Sequence, residues 1–297
     1  MTTSIMKTGR TSRFAIIVFF ALFSVLCLIP FVAVLSISFS SERDIVFNGY
    51  SLFPREIDLS AYRHIFSSPE TLVQSYKVTI FYSLAGTFAS VFVMALAAYP
   101  LSRENFVFKR VISFYFFFTL LFSGGLTPGY ILITRYLKLN DTIWVFLIPG
   151  LVNVWHVILL RTFFQKIPLS IIESAKIDGA SESRIFFLLT IPLSKPVLAT
   201  VAFFGIMGRW NDWYTAMLYI SRRQDLIPLQ YLLQRIMDNM KFLQMSNIPQ
   251  SIRDSMTFPD ESVRMAMCVL AAGPVLFIFP FFQKHFVKGM TVGSLKG

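Results

Sequence analysis

The chain has 297 residues, 55% hydrophobic and 14% charged, with a mean hydropathy of +0.62. Soluble domains carry about 25% charged residues, and here the apolar residues come in long unbroken blocks, which excludes a soluble protein with a greasy core. The net charge of +11 is read as cytoplasmic loops and contact with anionic membrane lipid, not as nucleic-acid binding.

About 20 apolar residues cross a hydrocarbon core about 30 Å thick. The chain therefore predicts an all-α, polytopic transmembrane bundle with about six spans, over residues 14–41, 78–98, 111–134, 142–160, 197–220 and 265–282. Strands of a membrane barrel would show short alternating segments instead. Residues 1–13 are expected as a cytoplasmic N-terminus, 14–283 as the transmembrane domain and 284–297 as a cytoplasmic tail. Lys7, Arg10 and Arg13 precede the first block as in a signal peptide, but the apolar run outlasts a typical h-region of about 7–15 residues, so an uncleaved helix is expected. Excess Lys and Arg in the N-terminus, in loop 161–196 and in the tail, against balanced charge in the outer loop 221–262, places both termini in the cytoplasm.

Several spans contain residues that break a helix or cost energy in lipid. The third contains Ser123-Gly124-Gly125 and Thr127-Pro128-Gly129, which predict a kink or interruption. In the fourth, Pro149-Gly150 is followed by Asn153, Trp155 and His156, which are either packing features or the lining of a polar path. Arg209, Trp210, Asn211, Asp212 and Trp213 interrupt the fifth. Ionisable groups there face a protein interior or a watery cavity, and Arg209 and Asp212 have the spacing to pair on one helix face. The alternative is an aromatic belt at the outer interface. Cys27 and Cys268 and the dispersed His64, His156 and His285 form no disulfide framework, metal site or catalytic triad.

Loop 161–196 is the most informative stretch. Pro168 suits a first helical position, Gly179 suits a left-handed helix end, and Ser181 with Glu182 suits the start of a second helix ending near Pro192. Two short helices joined at a glycine outside the bilayer make either a docking knob or an ordinary amphipathic hairpin.

Glu173-Ser174-Ala175, Gly179 and Ile191-Pro192 resemble the EAA loop of ABC importer permeases, whose pattern is roughly E-A-A-x3-G-x9-I-x-L-P. Ser174, Leu189 and Ile191 are mild departures from it. Trp210-Asn211-Asp212 is similar to the WN[DE] signature of carbohydrate importer permeases. The tail from Phe282 to Gly297 resembles that of MalG-type permeases, in particular an LplC/YtcP-like branch associated with complex oligosaccharides that include acidic ones such as alginate.

The resemblance implies half of a translocation pathway for a carbohydrate. It implies as partners a homologous second permease, two ATPase subunits and an extracytoplasmic solute-binding protein. Glu173, Ser174, Ala175, Asp178, Gly179, Ala180 and Pro192 are the expected ATPase-coupling residues, and Trp210, Asn211, Asp212 and Trp213 the expected substrate pathway. The chain contains no phosphate-cradling Gly-x4-Gly-Lys-Ser/Thr segment, so it is expected to be no enzyme and to hold no cofactor, with ATP and Mg bound by partner subunits. In the outer loop, Leu229, Leu232, Leu233, Ile236, Met240 and Leu243 recur at helical spacing. That helix either docks the binding protein or simply packs. A secondary transporter and a membrane-embedded enzyme are the competing classes; neither the coupling-ion residues of the first nor the convergent side chains of the second are evident.

Overall fold

The computed structural model describes residues 10–67, 69–245 and 260–294. They are almost wholly helical, and the described residues contain no strand beyond an isolated bridge between Ser40 and Ile57. The chain divides into two compact units, one of residues 1–69 and 237–273 and the other of residues 70–236 and 274–297.

In the first unit, α1 (Arg10–Ser38) carries no charge after Arg13, and Arg13–Ser38 is long and apolar enough to cross a membrane. Its apolar side chains from Phe14 to Val32 are exposed on this chain, as lipid or a partner helix requires. Two short helices follow, α2 (Glu42–Asn48) and α3 (Ser60–Ile65). The Glu42 carboxylate accepts hydrogen bonds from the backbone N–H groups of Glu261 (3.2 Å) and Ser262 (3.1 Å). It thereby caps the start of the last helix, α15 (Asp260–Ser294), whose first N–H groups have no partner within the helix.

The second unit is built on α4 (Pro69–Ser102), 34 residues of unbroken helix and so about 50 Å long. Ser75, Thr79, Ser83, Thr87 and Ser90 are buried along it; small side chains let neighbouring helices approach closely. Two apolar clusters form on this mast. One joins Val78 and Tyr82 of α4 to α7 (Trp144–Leu147), α13 (Tyr214–Tyr219) and the first turns of α14 (Leu229–Met245). The other joins Met94, Ala95, Ala98, Tyr99 and Leu101 to α8 (Val154–Phe164), α9 (Leu169–Ile177), α10 (Glu182–Ile185) and α12 (Lys195–Trp210).

Three expected spans are broken. Between α5 (Lys109–Leu121) and α6 (Leu126–Ile131, extended by a π-helical turn to Tyr136) the axis bends by 113°. Gly125, at φ +85°, sits at that break, where glycine tolerates a conformation other residues resist. Residues 142–160 are not one helix: α7 and α8 flank a non-helical stretch holding Pro149-Gly150, because proline supplies no N–H for the ladder. Residues 197–220 divide into α12 and α13 at Asn211–Trp213. The tail expected from residue 284 continues α15 as far as Ser294.

Candidate functional site

The helix pair of loop 161–196 forms as its local signals require, with Pro168 one position earlier than expected, at the cap that precedes α9. Gly179 takes φ +77°. The N–H of Ala180 donates to the Ala175 carbonyl (2.9 Å) and that of Gly179 to Lys176 (3.0 Å), the paired bonds of a Schellman ending. The Ser181 hydroxyl then accepts from the Arg184 N–H at 3.3 Å and caps α10. A π-helical turn (Phe186–Thr190) and α11 (Ile191–Leu193) carry the chain past Pro192, and the axis bends by 78° into α12.

Ile172 and Ile185 are buried in the α4–α8–α12 cluster, while Ile177 at the tip is 87% exposed. Glu173 lines a groove of about 550 Å³ between this helix pair and the end of α4, together with Lys176, Tyr99 and Arg103.

Sequence reasoning missed the ties that hold the pair to α4. Glu182 forms an ion pair with Lys176 at 2.7 Å and accepts a hydrogen bond from the Tyr99 hydroxyl at 2.6 Å. Arg103 stacks over the Tyr99 ring at 4.3 Å and donates to the Thr190 hydroxyl at 3.2 Å.

A second cavity, of about 530 Å³, lies where the helices break. Thr87 and Ser90 of α4, Gly150, Asn153 and His156 beside the fourth-span break, and Arg209 and Asp212 all line it. The Arg209 guanidinium donates to the Ser90 hydroxyl and to the Gly150 carbonyl, both at 2.9 Å. Its backbone carbonyl accepts from the buried Tyr82 hydroxyl. Arg209 therefore pins α12 to α4 and to the broken fourth span. The expected pairing with Asp212 is not made among the described residues; the Asp212 carboxylate instead accepts from the Thr215 N–H (3.0 Å) at the start of α13.

Of the four residues expected along the pathway, Asp212 lines this cavity. Asn211 and Trp213 are exposed beside it in sequence, whereas Trp210 is only 3% exposed and presents no ring face to a solute. The sequence marked Trp210 by its aromatic type, but its burial is set by how α12 packs in the fold, and that is not a local property.

In the outer loop, Leu229 and Leu233 are buried, and the Leu229 N–H donates to the buried Thr79 hydroxyl at 2.8 Å. The start of α14 is thus a packing helix; the side chains of Met240 and Leu243 lie outside the described residues. Asp141, at φ +54°, was also missed. Its carboxylate accepts from the N–H groups of Ser221 (2.8 Å), Arg222 (2.8 Å) and Arg223 (3.2 Å). These bonds, Arg222 first, lower its pKa to about 2.

Residues 6–292 match the family of binding-protein-dependent transport system inner membrane components. The chain belongs to that family. It is a membrane-embedded permease of an ABC importer, and not a secondary transporter. The permease is 38% identical over 281 residues to the polygalacturonan/rhamnogalacturonan transport system permease protein YtcP of Bacillus subtilis (strain 168), covering 94% of this chain and 96% of the relative. It is 36% identical over 294 residues to protein LplC of the same strain, covering 98% and 97%. Among solved structures it resembles a chain of a bacterial ABC transporter involved in the import of the acidic polysaccharide alginate, with a TM-score of 0.79, 30% identity, and coverage of 96% of this permease and 100% of that chain.

Proposed function

We propose that this permease forms half of the translocation pathway for an oligosaccharide, of an acidic kind, and takes its power stroke from ATPase subunits through the helix pair at residues 168–193. The observation that carries the coupling half of this reading is the Gly179 turn: a Schellman-closed knob, anchored inward by Ile172 and Ile185 and exposing Ile177 outward. Glu173, Ser174, Ala175, Asp178, Gly179 and Ala180 sit on or beside that turn, and Pro192 lies where the knob leads into the 78° bend. The saccharide half draws on the relatives, two of which are named for polygalacturonan/rhamnogalacturonan and for the acidic polysaccharide alginate.

Two ATPase subunits that bind ATP and Mg, a homologous second permease and an extracytoplasmic binding protein complete the assembly. Both termini face the cytoplasm, as the basic residues of the N-terminus and tail favour. Asp212 and the exposed Asn211 and Trp213 supply polar and aromatic contact along the pathway. Trp210 supports it from within.

Co-purification with an ATPase subunit, followed by an assay of solute-stimulated ATP hydrolysis, tests the assembly. A Gly179→Asp change places a charge at the docking turn and is expected to abolish coupling while the protein stays inserted. Normal transport by that variant would overturn the role given to the knob.

A further inference from the structure

The knob and the cavity are joined by two routes that differ in stiffness. Along the chain, the route from α10 to Arg209 passes a π-helical turn, Pro192 and a 78° bend before it reaches α12. Each is a point where a helix yields. The other route leaves the chain. It crosses from Glu182 to Tyr99 through a 2.6 Å hydrogen bond and then runs back along α4, with no break, to Ser90, which holds Arg209 at the cavity. Tyr99 lies nine positions along the helix from Ser90, about 13.5 Å. A hydrogen bond to a charged acceptor is stronger than a neutral one, and the edge-on contact of Phe186 with the Tyr99 ring (5.1 Å) reinforces this one.

We infer that the Tyr99–Glu182 hydrogen bond is the joint through which a displacement of the knob reaches α4 and, through Ser90 and Arg209, the cavity. The inference rests on the proposed coupling role of the knob. Tyr99 and Glu182 are positioning residues: they touch neither nucleotide nor solute, and they set how far α4 follows the knob. Arg103, bonded to Thr190 and stacked on Tyr99, fixes the orientation of the phenol.

The test uses the full transporter complex in proteoliposomes, with ATP hydrolysed per solute moved as the readout. Tyr99→Phe removes the hydroxyl and keeps the ring; Glu182→Ala removes the acceptor from a half-exposed position that the fold tolerates even if the buried Tyr99 variant does not assemble. Each is expected to raise that ratio about fivefold or more, the low end of coupling between distant sites. The double variant should be no worse than Glu182→Ala alone, because that change already removes the bond that Tyr99→Phe removes, together with the Lys176 ion pair. A ratio unchanged from the parent in either variant, or two effects that add, would overturn the inference. Gly179→Asp runs in parallel: coupling retained there would sink the knob's role itself, whereas coupling lost there but intact in Tyr99→Phe and Glu182→Ala would sink only the joint.

Discussion

The Arg209 guanidinium lies 2.9 Å from the Gly150 carbonyl oxygen, fifty-nine residues away in the chain. That carbonyl is available because Pro149-Gly150 interrupts the fourth span, and a carbonyl without a helical partner inside a membrane protein needs a donor. The same guanidinium reaches Ser90. One cation thus satisfies a broken helix and ties it to the mast.

That arrangement depends on Gly86. A Cβ there would meet the Arg209 Nε at 2.6 Å and the Leu147 side chain at 3.1 Å. Gly86→Ala is therefore expected to destabilise the permease by about 1–3 kcal/mol, the usual cost of overpacking. Gly208→Ala is the control, since nothing lies within 4 Å of its would-be Cβ; helix propensity favours alanine there by up to about 1 kcal/mol. Thermal midpoints in detergent should fall for the first and hold or rise for the second.

Gly179 differs from Gly86 in kind. No atom lies within 4 Å of an added Cβ, but φ is +77°. Gly179→Ala should cost only backbone strain, about 1–2 kcal/mol, and Gly179→Asn less, because asparagine accepts the left-handed conformation. Solute-stimulated ATP hydrolysis should follow the order Gly, Asn, Ala, with Val lowest.

Asp141 carries a pH dependence. Backbone N–H groups of Arg222 and Ser221 hold its folded pKa at about 2, below the unfolded value of about 3.9. A depressed carboxylate contributes its stabilisation fully above the unfolded value and loses it as pH falls toward the folded one. The 137–143 loop should therefore loosen from residues 221–223 between about pH 4 and pH 2. At neutral pH, Asp141→Asn should speed amide exchange at Ser221, Arg222 and Arg223 in hydrogen-exchange measurements.

Glu42 caps the last helix from 219 positions away. Glu42→Ala should lower stability by about 1 kcal/mol, as the loss of a cap does, while Glu42→Gln, which keeps an acceptor, should recover much of that. Thermal unfolding of the two variants checks the order.

Much of the architecture was legible because its signals are local. The uncharged run after Arg13, the Ser123-Gly124-Gly125 break, and the Gly179 turn flanked by Pro168 and Ser181 each act through nearest-neighbour hydrogen bonding and backbone preference. The resemblance to the EAA loop follows from the same short-range spacing. The extent of α4 was underestimated, because a helix continues past the apolar block that crosses the lipid, and the fourth span was drawn as one helix although Pro149-Gly150 divides it.

Composition and short-range spacing by themselves determined that this is a helical membrane protein with a glycine-hinged helix pair, and the resemblance of residues 173–192 to the EAA loop added the expectation of a permease. Only the tertiary structure decided that Arg209 holds Ser90 and Gly150 and leaves Asp212 to α13, that Glu182 holds Tyr99, and that Trp210 is turned inward. The bonds from Arg209 to Gly150 and Ser90 and from Tyr99 to Glu182 join residues 59, 119 and 83 positions apart. Which polar groups meet at such separations depends on how helices rotate and pack against one another, and the cost of leaving a buried polar group unpaired then favours these partners.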